Sequence, residues 1–572
     1  MISYFTKLES YSMPSSHNIP KFWKVDKELE EYMHSRGKNG PLATVPAGVS
    51  DAIDPVAPAF IRSSLASGMP LSSLGFNNIL NQTKRLGAGY YEFNIRNGIR
   101  DSVASAFLSA SDTHNEERGL PQNLIIKTGA TVHRLLTEEL TNIKFNSSSS
   151  VPPLLAKCTG VKYMHKGIIQ TAHLLSSSSS SSSLHVANST SSEIILAAGA
   201  ILTPQLLANS GIHDKGSLVN LPGVGRNLQD HPVISVVFPI RGNLTYGPSI
   251  YDMSQEIQNY IQSTIPVQTI LNNNSNNLQN MQNDSEYIDT YPGSTFATAG
   301  FAAGAFLSSP YEKEANTPDI QLTVFPRVIE PHLVHNHHFN TLHKQQQVLE
   351  EFNHHEMDVD WYESCSSPGI SCMLVTVALI RPEGRYKVKV VTNSYNKNES
   401  DLSKHANNRT KSKLDDDETT QMQSFEKYYG FNLPTIVAEN GISYLTDTDL
   451  NRLSWGVEQV RKIMRFPPLV NHSNGEVYPG SHIINETLKD FIKSNYTTNS
   501  HWAGSTKMGL MQNDPTSVVD ENLKVYGVEN LRIVDAGVMP YIPNGNTHTT
   551  TCAVAMRGVD LILKERKSRL RE

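Results

Sequence analysis

Between residues 501 and 548 the chain carries a run of signals that few folds can accommodate. A histidine sits on a glycine-bearing turn, His501-Trp502-Ala503-Gly504-Ser505-Thr506-Lys507-Met508-Gly509, and Val519-Asp520 follows. A strand then closes on Val534-Asp535-Ala536, and a glycine-flanked amide, Asn544-Gly545-Asn546-Thr547-His548, opens a helix. Together these place one base and one hydrogen-bonding partner beside a prosthetic group, an arrangement suited to removing a proton and a hydride from an alcohol.

The rest of the composition narrows the class. A length of 572 residues is enough for a sizeable core and several interleaved domains. The formal net charge of −6 gives no electrostatic case for nucleic acid, which demands clustered Lys and Arg. No stretch approaches the roughly 20 apolar residues of a membrane span. Met1 to Ser10 lacks the basic flank and apolar core of a signal peptide, so the sequence does not indicate a compartment. Four cysteines, Cys158, Cys365, Cys372 and Cys552, are too few for a disulfide framework. Cys365 and Cys372 are read as free thiols, although their spacing permits a local bridge in an oxidising compartment.

Strand signals, β-branched and apolar, occur at Leu124 to Ile126, Ile194 to Ala198, Val233 to Phe238, Ile320 to Phe325, Met373 to Ile380 and Leu531 to Val534. Helix signals occur at Thr203 to Asn209, Thr446 to Met464 and Thr549 to Lys564; the second has Leu450, Leu453, Val457, Val460 and Met464 at helical spacing. Ser176 to Ser183, Asn272 to Asp284 and Asn396 to Met422 read as disordered surface inserts, because they bury too little to offset their ordering entropy. The histidine-rich stretch His332 to His355 is interleaved with Asn and Gln and lacks the cysteine partners usual at structural zinc, so no metal site is assigned.

The C-terminal pattern, together with several other stretches in order, resembles the glucose-methanol-choline (GMC) family of FAD-dependent oxidoreductases. Gly199-Ala200-Ile201-Leu202-Thr203-Pro204-Gln205-Leu206-Leu207-Ala208-Asn209-Ser210-Gly211-Ile212 is close to the family's second signature, with His213 where glycine is usual. Leu221-Pro222-Gly223-Val224-Gly225-Arg226-Asn227-Leu228-Gln229-Asp230-His231-Pro232, Asn39-Gly40-Pro41-Leu42, Gly89-Tyr90-Tyr91 and Asn97-Gly98-Ile99-Arg100 also look like family segments. The resemblance implies a mixed α/β protein: a Rossmann-like FAD-binding domain interleaved with an antiparallel-sheet substrate domain. It assigns 1–40 to a residual FAD or linker region, 41–125 and 236–499 to the substrate part, and 126–235 and 500–572 to the FAD part. The family's opening strand and Gly-x-Gly-x-x-Gly turn, which hold the FAD pyrophosphate, have no counterpart near Met1. The chain therefore resembles a family protein lacking its first flavin-binding unit, with an incomplete gene model as the leading explanation. Poor retention of FAD and exposed apolar faces near Ile194 to Ala198 and Leu531 to Val534 are expected.

By the same resemblance His501 is the base and Asn546 its partner, holding the alcohol oxygen without competing for its proton. His548, two residues further, points elsewhere at a helix start and is the lesser candidate. Val132, Ala198, Gly199, Asp535, Ala536, Asn546 and Thr547 match positions beside the cofactor, and the start of the helix directs its positive end at the reduced flavin. For Val132 the alternative is an ordinary buried strand valine. The implied reaction is oxidation of a CH–OH group of a small alcohol, with oxygen or another acceptor taking the electrons; oligomeric state is not legible. The rivals are a hydroxynitrile-lyase-like enzyme on the same fold, since fold does not fix function, and a truncated, non-catalytic homologue.

Overall fold

Apolar runs and glycine-punctuated turns organise the chain into two compact units, each assembled from three separate stretches. The computed structural model describes residues 2–12, 27–47, 54–77, 85–96, 99–108, 123–140, 153–175, 192–241, 300–314, 316–326, 370–390, 434–569 and 571. The three inserts, the histidine-rich stretch and Asn97-Gly98 lie outside these residues.

The unit formed by Met1–Gln122, His231–Glu383 and Leu445–Asn499 is built on a six-stranded sheet. Its order is Thr497–Thr498, Pro232–Arg241, Ile370–Leu379, Ile320–Phe325, Ala303–Leu307 and Gly87–Tyr90, antiparallel throughout. Pro232–Arg241 is buried along almost its whole length, so both faces are covered and its side chains are nearly all apolar rather than alternating. The helix Asp447–Ile463 packs onto this sheet. Thr446 Oγ1 accepts from the Asp449 N–H and Asp449 Oδ2 from the Thr446 N–H, each at 3.1 Å, which closes the first turn with a capping box. Leu450, Leu453, Val457 and Val460 form the buried stripe. A Cβ at Gly456 would stand 2.5 Å from Val377 Cγ1, so glycine there lets the helix come down on the strand. Two buried arginines carry local charge balance: Arg452 lies 3.4 Å from Asp319, and Arg36 pairs with Glu9 and Glu92 with its guanidinium 3.9 Å over the Tyr11 ring.

The second unit comprises Asn123–Asp230, Gly384–Tyr444 and Ser500–Glu572. Ile194–Leu196 and Leu531–Ile533 form a parallel pair, in register from Ile194 opposite Leu531 to Leu196 opposite Ile533. A four-stranded sheet holds Ala130–Glu139, Ala156–His165 and Val528–Glu529, with Ile168–His173 on the edge of Ala156–His165. The helices Gly199–Asn209 and Thr547–Arg569 complete it. Leu196, Leu207, Ile212, Val519, Leu531, Ile533 and Leu561 share one core. Arg532, 2% exposed, is neutralised by Glu193 and Glu565.

The mixed α/β architecture, with an antiparallel sheet in one unit and a parallel pair in the other, agrees with the sequence reading. Three expectations are corrected. Leu124 to Ile126 is not a strand: no described strand runs beside it, and Ile125 is 90% exposed. Strand pairing begins instead at Ala130, in the strand Ala130–Glu139 that holds Val132. Cys372 is disulfide-bonded, whereas Cys158 and Cys552 are free; the remaining cysteine, Cys365, lies outside the described residues. Leu531 and Ile533 are buried in the core, so of the two expected exposed faces only the side of Ile195 is open.

Candidate active site

The site is built where the parallel pair ends. Val534 N–H donates to Leu196 O at 2.8 Å, the last rung joining the two strands, and Asp535 then turns inward. Its Oδ2 accepts from Gly199 N–H at 3.0 Å and Thr203 Oγ1 at 2.6 Å, and its Oδ1 from Gly537 N–H at 2.8 Å. One carboxylate thus caps the short turn Ala536–Val538 and anchors the start of the helix Gly199–Asn209. Burial raises its pKa against the opposing pull of those hydrogen bonds. Gly199 adopts φ +81°, a left-handed conformation that favours glycine, and among the described residues nothing beyond its chain neighbours and its own helix's backbone lies within 4 Å of where its Cβ would stand.

The His501 turn is laced onto the same turn. Gly504 N–H donates to Ala536 O at 3.1 Å and Thr506 N–H to Gly537 O at 2.9 Å, while Ser505 Oγ donates to Ala200 O. His501 itself is 9% exposed, and its backbone N–H donates to Asp230 Oδ1 at 2.8 Å. Burial pushes its imidazole pKa down to about 4, so the ring is neutral near pH 7 and able to accept a proton. Asp230 is gripped by Tyr444, whose hydroxyl donates to Asp230 O at 2.7 Å and accepts from Asp230 N–H at 3.2 Å. The Tyr444 ring stacks on Tyr386 at 3.7 Å, and Tyr386 meets Trp502 edge-on at 5.4 Å.

Asn546 is exposed and stands one residue ahead of the helix Thr547–Arg569. Gly545 has open space at its Cβ position, and His548 is exposed in the first turn. The structure therefore joins Gly199, Asp535, Ala536 and the His501 turn by direct hydrogen bonds. Val132 stands apart in the strand Ala130–Glu139, paired with Tyr163 and 38% exposed, so it is not an ordinary buried strand valine. Bare backbone at Gly199 and Gly545 and the exposed Ala198 and Val132 fit a ligand lying across strand ends and a helix start. The Asp535 carboxylate accepts three hydrogen bonds from the backbone of Gly199 and Gly537 and from Thr203, two on Oδ2 and one on Oδ1.

Sequence reasoning missed Thr203, Asp230 and Tyr444. Asp230 was within reach: it is a carboxylate in the polar run Asn227-Leu228-Gln229-Asp230, directly before a buried strand, where a polar group must find a partner. Tyr444 carries no comparable signal, because it arrives from a distant stretch. Among the described residues no cluster could hold a metal ion, and no helix is long and apolar enough to cross a membrane.

Two family models, both described as GMC oxidoreductase, match residues 20–233 and 441–555, spans that contain the Gly199 turn, the His501 turn and Asn546. The chain belongs to the GMC oxidoreductase family. This family is FAD-binding. Among GMC relatives, an oxygen-dependent choline dehydrogenase of Vibrio vulnificus is 26% identical over 556 residues, covering 95% of this chain and 73% of the relative. The mitochondrial choline dehydrogenase of Mus musculus is 24% identical, covering 96% of this chain and 69% of its own length. An alcohol dehydrogenase [acceptor] of Pseudomonas putida is 24% identical, covering 92% and 71%. Among solved structures, a formate oxidase superposes with a TM-score of 0.60 at 17% identity, covering 99% of this chain and 78% of the other. A pyridoxine 4-oxidase from Mesorbium loti gives 0.58 at 19% identity, covering 98% and 76%. At these identities the structures speak for the GMC fold alone.

Proposed function

We propose that this GMC protein oxidises the CH–OH group of a small alcohol. Bound FAD supplies the hydride acceptor. His501 takes the hydroxyl proton, and Asn546 holds the alcohol oxygen by a hydrogen bond. Val132, Ala198, Gly199, Asp535, Ala536, Asn546 and Thr547 would hold the cofactor, Asp535 also by fixing the backbone of Gly199 and Gly537. The unit of Asn123–Asp230, Gly384–Tyr444 and Ser500–Glu572 forms the FAD part and the unit of Met1–Gln122, His231–Glu383 and Leu445–Asn499 the substrate part, which moves 384–444 out of the 236–499 range that the resemblance gave to the substrate part. Oxygen or another acceptor then takes the electrons.

The observation that carries this reading is the buried, uncharged imidazole of His501 on a turn hydrogen-bonded to the Asp535–Gly537 turn. An uncharged imidazole has the lone pair a general base needs, although the burial that lowers its pKa also weakens it as a base, and the hydrogen-bonded turn keeps it in place. Relatives named for choline and for alcohols support the substrate class. The test is anaerobic: the FAD-loaded protein is mixed with benzyl alcohol, 1-hexanol or choline, and the flavin absorbance is followed. Bleaching by any of them supports the reading. A flavin that stays oxidised with all three, in a protein that splits a cyanohydrin, would replace it with a lyase.

A further inference from the structure

The run Asn227-Leu228-Gln229-Asp230 is explained by neither the cofactor nor the proton transfer, yet it touches both segments that bear the proposed chemistry. Gln229 and Asp230 are each 1% exposed. The backbone of Gln229 forms an antiparallel bridge to Ala503, Gln229 N–H to Ala503 O at 2.8 Å and Ala503 N–H to Gln229 O at 3.0 Å. Asp230 then accepts the His501 N–H. The side chains reach the other way. Gln229 Nε2 donates to Pro540 O at 3.1 Å, and its Oε1 accepts the Ile542 N–H at 3.2 Å. Asn227 Nδ2 donates to the same Pro540 O at 3.2 Å and to Gly504 O at 3.2 Å. Two side-chain amides thus converge on one carbonyl of the loop that leads to Asn546.

The shape of the turn supports a dedicated fit. Gly504 has φ +92°, and a Cβ there would lie 2.6 Å from Asn227 O and 2.7 Å from Gln229 Nε2, so the His501 turn and the polar run are in contact with no room between them. Asn227 is itself left-handed, at φ +60°, and its Oδ1 accepts from Arg385 Nε at 3.1 Å. These are features of a clasp whose groups are all used.

We infer that Asn227, Gln229 and Asp230 are positioning residues, a clasp that sets the His501 turn and the loop before Asn546 at one fixed spacing. The inference rests on the reading of His501 and Asn546 given above, but its first test does not. Gln229→Met keeps the volume and removes the side-chain hydrogen bonds to Pro540, Ile542 and Asn227; Asp230→Leu removes the acceptor of the His501 N–H, and Asp230→Asn keeps it. In the full chain, amide exchange at Ile542 should accelerate about tenfold or more in Gln229→Met, and at His501 in Asp230→Leu, while Val525 and Ile533 in the same unit keep wild-type rates. Asp230→Asn should restore His501 to near wild-type protection. In Asp230→Leu the loosened imidazole should titrate well above its wild-type midpoint, as followed by its ring resonance. Unchanged exchange at Ile542 and His501, an equal rise at Val525 and Ile533, or an Asp230→Asn variant no better than Asp230→Leu would overturn the clasp. In the FAD-loaded protein with benzyl alcohol, Gln229→Met should lower kcat about tenfold with little change in KM, and an unchanged kcat would also overturn it. A wild-type flavin that no alcohol reduces would sink the reading of His501 instead, and the exchange rates would still decide the clasp.

Discussion

Burial that keeps the His501 imidazole neutral also makes the fold sensitive to acid. The pKa falls from the ordinary 6.5 to about 4, because the charged ring would lose its hydration. Between those two values the unfolded chain binds a proton that the folded chain refuses, so this group's contribution to stability declines as pH drops through that window. At about 1.4 kcal/mol per pH unit the full decline is on the order of 3 kcal/mol. Denaturation in urea at pH 7 and pH 4.5 should show the wild type losing more stability than His501→Gln by roughly 2 kcal/mol; parallel losses would mean that the ring is hydrated. Asp535 gives a second expectation. Replacement by Ala leaves the Gly199 N–H, the Gly537 N–H and the Thr203 hydroxyl without their acceptor, at a cost of about 3 kcal/mol or more in the same assay. A cost under about 1 kcal/mol would show that water replaces the carboxylate.

At the scale of elements, the helix Asp447–Ile463 was legible almost to its ends because cap, apolar spacing and length agree there. Its least visible feature is Gly456, where propensity favours alanine and packing forbids it. Gly456→Ala should destabilise by about 1–3 kcal/mol despite the better helix former, since the new methyl meets Val377 and Ile320. Thr446→Ala should cost about 1 kcal/mol through the lost cap. Thermal melts of both variants check the order, and a more stable Gly456→Ala would contradict the close approach. The strands Ala130–Glu139 and Ala156–His165 escaped notice because their side chains are half-exposed and often charged, so backbone pairing rather than an apolar pattern marks them. Leu124 to Ile126 misled for the opposite reason: apolar residues alone do not make a strand without a neighbour to pair with.

On the scale of the whole molecule, family-like motifs made the fold class and the cofactor readable and singled out His501 as the proposed base, whereas contacts between remote stretches were not readable. Asp230 reaches His501 and Tyr444 reaches Asp230 across hundreds of residues, and no local pattern announces such pairs. A ligand that binds only the folded protein stabilises it by mass action, so FAD at about a hundred times its dissociation constant should add roughly 2.7 kcal/mol. Protection from amide exchange should then rise around Gly199, Ala536 and Gly545. A rise confined to Met1–Gln122, His231–Glu383 and Leu445–Asn499 would put the cofactor in the other unit. Whether His501 is the base in an alcohol oxidation is decided by anaerobic stopped-flow reduction of the FAD-loaded protein. With an alcohol that bleaches the wild-type flavin, His501→Ala should slow reduction by about a hundredfold or more while FAD stays bound; reduction at the wild-type rate would contradict it.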